Sequence, residues 1–141
     1  MDEKNRNGDS ISISSSTDNI AAVDEFLEAW LRARNVPDDT VADLAIAVTE
    51  LVNNAIKHGN KKDESKRVTV LLKIRDGEAE ATISDEGTGF NPDNIPNPVA
   101  EENLLKEIGR GIFIVRSLMD NVEFVFPQGG GTSVRITKKL A

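Results

Sequence analysis

Residues 38–59 read DDTVADLAIAVTELVNNAIKHG. Plotted at 100° per residue, Val41, Leu44, Ala45, Val48, Leu51, Val52 and Ala55 fall on one arc, the pattern of an amphipathic helix. Asp38 or Asp39 can cap its start, and Gly59 is expected to end it as a left-handed residue. Glu50, Asn54 and Lys57 lie almost opposite the apolar arc. Because that arc must face a core, these polar side chains face either water or a ligand.

The chain on both sides of this helix completes a sandwich. Downstream, Arg67–Arg75 places Val68, Val70, Leu72 and Ile74 on one face of a strand, and Asp76-Gly77 turns it into a return strand carrying Ala79, Ala81 and Ile83. Upstream, a polar start over residues 1–10 reads as frayed, and Ile11 and Ile13 alternate with serines as a short strand. Asp18 or Asn19 can cap a helix from Ile20, with Val23, Phe26, Leu27, Trp30 and Leu31 as its stripe. Residues 91–108 hold three prolines and two adjacent glutamates, a composition for a long functional or mobile loop. Gly109–Gly111 is expected to start a third helix running to about Asp120, followed by strands around Val122–Phe126 and Val134–Ile136. The order is strand, two helices, two strands, loop, helix, two strands. It predicts one domain over 11–141: an α/β (α+β) two-layer sandwich whose mixed, mostly antiparallel sheet carries its helices on one face.

Composition narrows the function classes. The 141 residues suffice for one domain and one core. With no cysteine, disulfides, thiol nucleophiles and thiolate metal sites are excluded, and a single histidine excludes a three-histidine zinc centre. Twenty-four acidic residues against 17 basic ones leave a net charge of −7, which disfavours broad nucleic-acid binding. The sequence has no long apolar run for a membrane helix and no signal-peptide core behind its first charges, so a cytoplasmic location is expected.

Four segments carry the chemistry: Glu50-Leu-Val-Asn-Asn-Ala-Ile-Lys-His-Gly59, Asp85-Glu-Gly-Thr-Gly-Phe90, Gly109-Arg-Gly-Ile-Phe-Ile-Val115 and Gly129-Gly-Gly-Thr132. Glu50 and Asn54 are one helical turn apart and project together, offering oxygen donors of the kind a magnesium ion and its waters accept. Asp85 ends a strand, and an ionised carboxylate there accepts hydrogen bonds but donates none. Gly87 and Gly89 permit close backbone approach, and Gly109 and Gly111 would expose amides at a helix start that can hold phosphate oxygens. No Walker sequence is present.

Together these segments resemble the nucleotide-binding domain shared by gyrase-type ATPases, the ninety-kilodalton chaperone, sensor histidine kinases and mismatch-repair ATPases. The small size is similar to that superfamily's branch of anti-sigma factors and serine kinases. The resemblance implies that Asn54 coordinates Mg2+, that Glu50 orients or deprotonates the attacking hydroxyl, and that Asp85 accepts the adenine amine. It further implies that Gly87, Gly89, Gly109 and Gly111 line the nucleotide and that 91–108 is the ATP lid. Thr132 would sit in the floor near Asp85, while Arg110 faces either phosphate or solvent. The implied activity is a serine/threonine protein kinase that uses Mg-ATP to phosphorylate a small antagonist (anti-anti-sigma) protein and that also sequesters a sigma factor. A homodimer is one assembly the resemblance allows, with the N-terminal strand as a pairing edge. A non-enzymatic ATP-binding regulator and a histidine-kinase catalytic domain remain the competing readings.

Overall fold

The computed structural model describes residues 5–7, 9–87, 102–127 and 130–140. Six strands form one sheet: β1 (Asn5–Asn7), β2 (Ser10–Ser14), β3 (Arg67–Arg75), β4 (Glu78–Ser84), β5 (Asn121–Val125) and β6 (Ser133–Lys139). Their order across the sheet is β1-β2-β3-β4-β6-β5, and all five described pairings are antiparallel. Three helices, α1 (Ile20–Ala33), α2 (Asp38–Asn54) and α3 (Glu102–Leu118), complete the domain.

Alternation in the strands sets which face of the sheet the helices cover. Ile11 and Ile13 of β2, Val68, Val70 and Leu72 of β3, Ala79, Ala81 and Ile83 of β4, and Val134 and Ile136 of β6 are all buried. They meet the α1 stripe of Val23, Phe26, Leu27, Trp30 and Leu31 and the α2 arc of Val41, Leu44, Val48, Leu51 and Val52 in one core. Each buried Val, Leu, Ile or Phe among them contributes about 1.5–3 kcal/mol by leaving water, and the alanines less. The intervening strand residues, among them Ser12, Thr69, Lys73, Glu80 and Arg135, occupy the opposite, polar face. There Arg135 reaches across to Glu123 at 2.7 Å. This is the expected two-layer sandwich.

Several local expectations are corrected. Part of the start read as frayed is a strand: Asn5–Asn7 pairs with Ser10–Ser12. Neither Asp38 nor Asp39 caps α2. Pro37 occupies that position, both aspartates lie in the first turn, and Asp38 pairs with Arg32 at 2.6 Å. Asn19 does not cap α1 through its side chain either. Its amide donates back to Ser14, tying the end of β2 to the helix start.

The largest correction concerns α3. The helix begins at Glu102, so Gly109 and Gly111 sit in its interior and their amides are not those of a helix start. After Pro98 the sequence contains no further proline before Pro127, and Glu102–Ile108 is rich in helix formers, which carry the helix back past both glycines. The lid expected over 91–108 therefore has helical backbone from 102 onward, and its remainder, 91–101, lies outside the described residues.

Candidate nucleotide site

The site forms where α2 runs out. Beyond Asn54 the chain does not stop at once but widens into a π-turn, Ala55–Gly59, in which the Asn60 N–H reaches back to the Ala55 carbonyl at 2.7 Å. π-turns of this kind are frequent at functional positions. Gly59 has no positive φ, contrary to the expected left-handed ending. The left-handed residues are Lys61 (φ 54°) and Lys62 (φ 60°), which turn the chain away. Gly59 is needed for closeness instead, because a Cβ there would overlap the Asp85 carboxylate.

Three loops interlock at this point. A Cβ on Gly87 would collide with the Gly59 carbonyl, and one on Gly131 (φ 83°) would collide with the carbonyl of Asp85. The glycines of the second and fourth segments thus bring three backbones together at the ends of α2, β4 and β6. The Asp85 N–H donates to the Thr132 carbonyl (2.9 Å), and the Thr132 N–H returns a bond to Asp85 Oδ1 (3.1 Å). The Gly87 N–H also donates to Oδ1 (3.0 Å). With Oδ1 so held, Oδ2 is turned to the Gly59 side. Burial pushes the Asp85 carboxyl above its ordinary value, and the two backbone N–H groups and Lys66 oppose that rise only in part.

A pocket of roughly 440 Å3, counted to its open mouth, lies in front of this carboxylate. Leu51, Ala55, Ile83, Ile112, Phe124 and Val134 form apolar walls, and Asn54, His58, Asp85 and Thr132 supply the polar groups. Apolar walls around one oriented acceptor suit a ring that carries a hydrogen-bond donor on its edge.

The sequence-predicted residues divide accordingly. Asn54, Asp85 and Thr132 converge on the pocket, with Gly87 buried beside them. Glu50 does not line it but stands one turn before Asn54 on α2, where Gly111 of α3 packs on the pair. A Cβ on Gly111 would lie 3.1 Å from Glu50 Oε2 and 3.4 Å from Asn54 Nδ2. Gly111 is thus explained by contact with α2, whereas a Cβ on Gly109 would meet nothing within 4 Å. Arg110 is exposed on α3 and is not part of the pocket wall. Gly89, with Thr88 and Phe90, lies outside the described residues. Ile83 and Phe124 are wall residues outside the four segments, and Ile112 and His58 lie within them without a wall role assigned, because only the fold brings β4, α3, β5 and the α2 end to one place.

Among the described residues no cluster of three or more acidic or histidine side chains could cage a metal ion. One amide and one carboxylate, Asn54 and Glu50, suit an ion that keeps waters and takes its remaining ligands from phosphate, as Mg2+ does. No helix of the described residues is long and apolar enough to cross a membrane.

Comparison with known proteins places the domain in a family. The histidine kinase-like ATPase domain family matches residues 13–138. The serine-protein kinase RsbW of Listeria innocua is 34% identical over 108 residues, covering 72% of this chain and 68% of that protein. The anti-sigma F factor of Oceanobacillus iheyensis is 29% identical over 138 residues, covering 96% and 94%. Among solved structures, the RsbU and RsbW domains of a Mycobacterium tuberculosis protein superpose with a TM-score of 0.66 at 20% identity, over 93% of this chain and 32% of that longer one. A blue-light activated histidine kinase of Erythrobacter litoralis gives 0.55 at 19% identity, over 91% and 62%. The chain belongs to the histidine kinase-like ATPase family, in its branch of RsbW-like anti-sigma factors.

Proposed function

We propose that the chain is an ATP-dependent serine/threonine protein kinase that phosphorylates a small antagonist protein and sequesters a sigma factor. The observation that carries the reading is the Asp85 carboxylate. It is fixed through Oδ1 by two backbone N–H groups, walled by apolar side chains and placed beside Asn54 in a chain related to RsbW and anti-sigma F proteins.

In this reading the apolar walls hold the purine, and Asp85 Oδ2 accepts its 6-amino hydrogen. Guanine places a carbonyl at that position and is rejected, since two acceptors would face each other. The phosphates extend along α2 toward Asn54 and Glu50. Mg2+ would be held by Asn54 and would neutralise phosphate charge. Glu50 would orient the acceptor hydroxyl of the partner and take its proton as the γ-phosphoryl moves to that oxygen. Gly111 and α3 cover this pair in the described conformation, so α3 or its leading residues must yield space for the triphosphate.

The test combines calorimetry with labelled transfer. The wild-type chain should bind Mg-ATP well above GTP and pass label from ATP to a serine-bearing antagonist. Asn54→Ala should lose the magnesium-dependent part of ATP affinity. Equal binding of ATP and GTP would remove the adenine assignment. ATP and sigma-factor binding with no transfer to any antagonist would make the chain a non-enzymatic regulator.

A further inference from the structure

Asn60 directly follows the π-turn and is only 1% exposed, yet it does not line the pocket. A side-chain amide so deeply buried is costly unless its polar atoms are paired. The pairing is complete. Nδ2 donates to Ser15 Oγ (2.8 Å) and to the Arg67 carbonyl (3.0 Å), and Oδ1 accepts the Glu86 N–H (2.8 Å). Ser15, also 1% exposed, has its hydroxyl proton committed to the Lys66 carbonyl at 2.7 Å, so it accepts from Asn60. The Glu86 carboxylate in turn accepts the Arg67 N–H. One amide therefore joins the chain after β2, the entrance to β3 and the loop leaving β4.

The residue it grips is the neighbour of Asp85. On the β6 side the Asp85–Gly87 loop is held by Thr132. On the α2 side the bond from the Glu86 N–H to Asn60 is the described hydrogen bond between the loop and the end of that helix. There the packing is so close that neither Gly59 nor Gly87 could carry a Cβ. Glu86 lies between Asp85 and Gly87, whose N–H holds Oδ1, so a shift of the Glu86 backbone moves both the carboxylate and one of the groups that orient it.

We infer that Asn60 is a positioning residue that aims the Asp85 carboxylate and thereby sets the preference for a 6-amino over a 6-oxo purine. This rests on the nucleotide reading above. Asn60 touches no part of the ligand and acts only through Asp85.

The experiment measures Mg-ATP and Mg-ITP affinities of the full chain, because inosine keeps the purine and ribose of adenosine but replaces the 6-amino donor by a carbonyl, with a proton on N1. Wild type should prefer ATP. Asn60→Ala should lose about tenfold or more in ATP affinity, the equivalent of one good hydrogen bond, and lose clearly less in ITP affinity, since ITP offers no donor at position 6 for the aimed carboxylate. In an Asp85→Asn background the same substitution should leave the ATP/ITP ratio unmoved. Equal losses for both nucleotides, or an unchanged ratio, would overturn the positioning role and reduce Asn60 to a support of the fold. If Asn60→Ala does not fold, Ser15→Ala replaces it. That change removes one anchor of the amide and nothing from the pocket, so the ratio should fall by a smaller factor, and an unaltered ratio overturns the inference. A wild type without preference defeats the adenine reading itself, which is recognised before any substitution is made.

Discussion

Asp85→Asn separates the cost of the site to folding from its use in binding. The amide keeps Oδ1 for the N–H groups of Gly87 and Thr132 and places an NH2 where Oδ2 now lies on the Gly59 side. The fold should not suffer. Burial raises the folded-state pKa of Asp85, so ionisation opposes folding. The stability tied to this group is present below its unfolded value of 3.8 and is lost as pH rises through the folded value. At neutral pH Asp85→Asn should therefore melt no lower than wild type, and its stability should fall less with rising pH. Binding should change the other way. The 6-amino group of ATP would meet a donor in place of a charged acceptor, a loss of a few kcal/mol or about 10²-fold in affinity. ITP, with a carbonyl at that position, should gain relative to ATP. Thermal melts across pH and paired ATP and ITP titrations measure all three effects. A variant that binds ATP like wild type, or that prefers it over ITP to the same degree, would refute Asp85 as the base-reading group.

Glu50→Gln should leave folding and nucleotide binding nearly intact, since Glu50 is partly exposed and does not line the pocket, while label transfer to an antagonist falls by roughly 10²-fold; unchanged transfer would remove it as the base. Gly87→Ala should destabilise by roughly 1–3 kcal/mol or more, because the new methyl meets backbone rather than a movable side chain, and chemical denaturation reads this directly. Asp24 keeps its proton up to about 6 through partial burial and then its hydrogen bond to Glu28, so stability present below pH 3.8 is lost as pH rises through about 6. Asp24→Asn, a donor at every pH, should flatten that segment of the stability profile; an unchanged profile would place the titration elsewhere.

Periodicity made the framework legible. The 3.6-residue arc of α2 and the two-residue alternation of β3 and β4 each have a single burial solution, so element type and inward face follow from local pattern. Asn54, Asp85 and Thr132 were likewise legible, through the resemblance their segments carry. The start of α3 was not. Two glycines read as a boundary, whereas the helix formers of Glu102–Ile108 carry the helix through them and Gly111 packs against Glu50 and Asn54. Asn60 gave no sequence signal, being one more polar residue in a polar loop. Its role depends on Ser15, Arg67 and Glu86, which are distant in the chain.

Near-neighbour spacing and residue chemistry suffice for the two layers, the inward faces and the choice of Asn54 and Asp85 as polar groups of the pocket. Tertiary structure alone decided how those groups are aimed. The π-turn that buries Asn60, the overlap of the Gly59, Gly87 and Gly131 backbones and the orientation of Asp85 arise from contacts between segments tens of residues apart. Such close packing is a property of assembled surfaces, which no local pattern encodes.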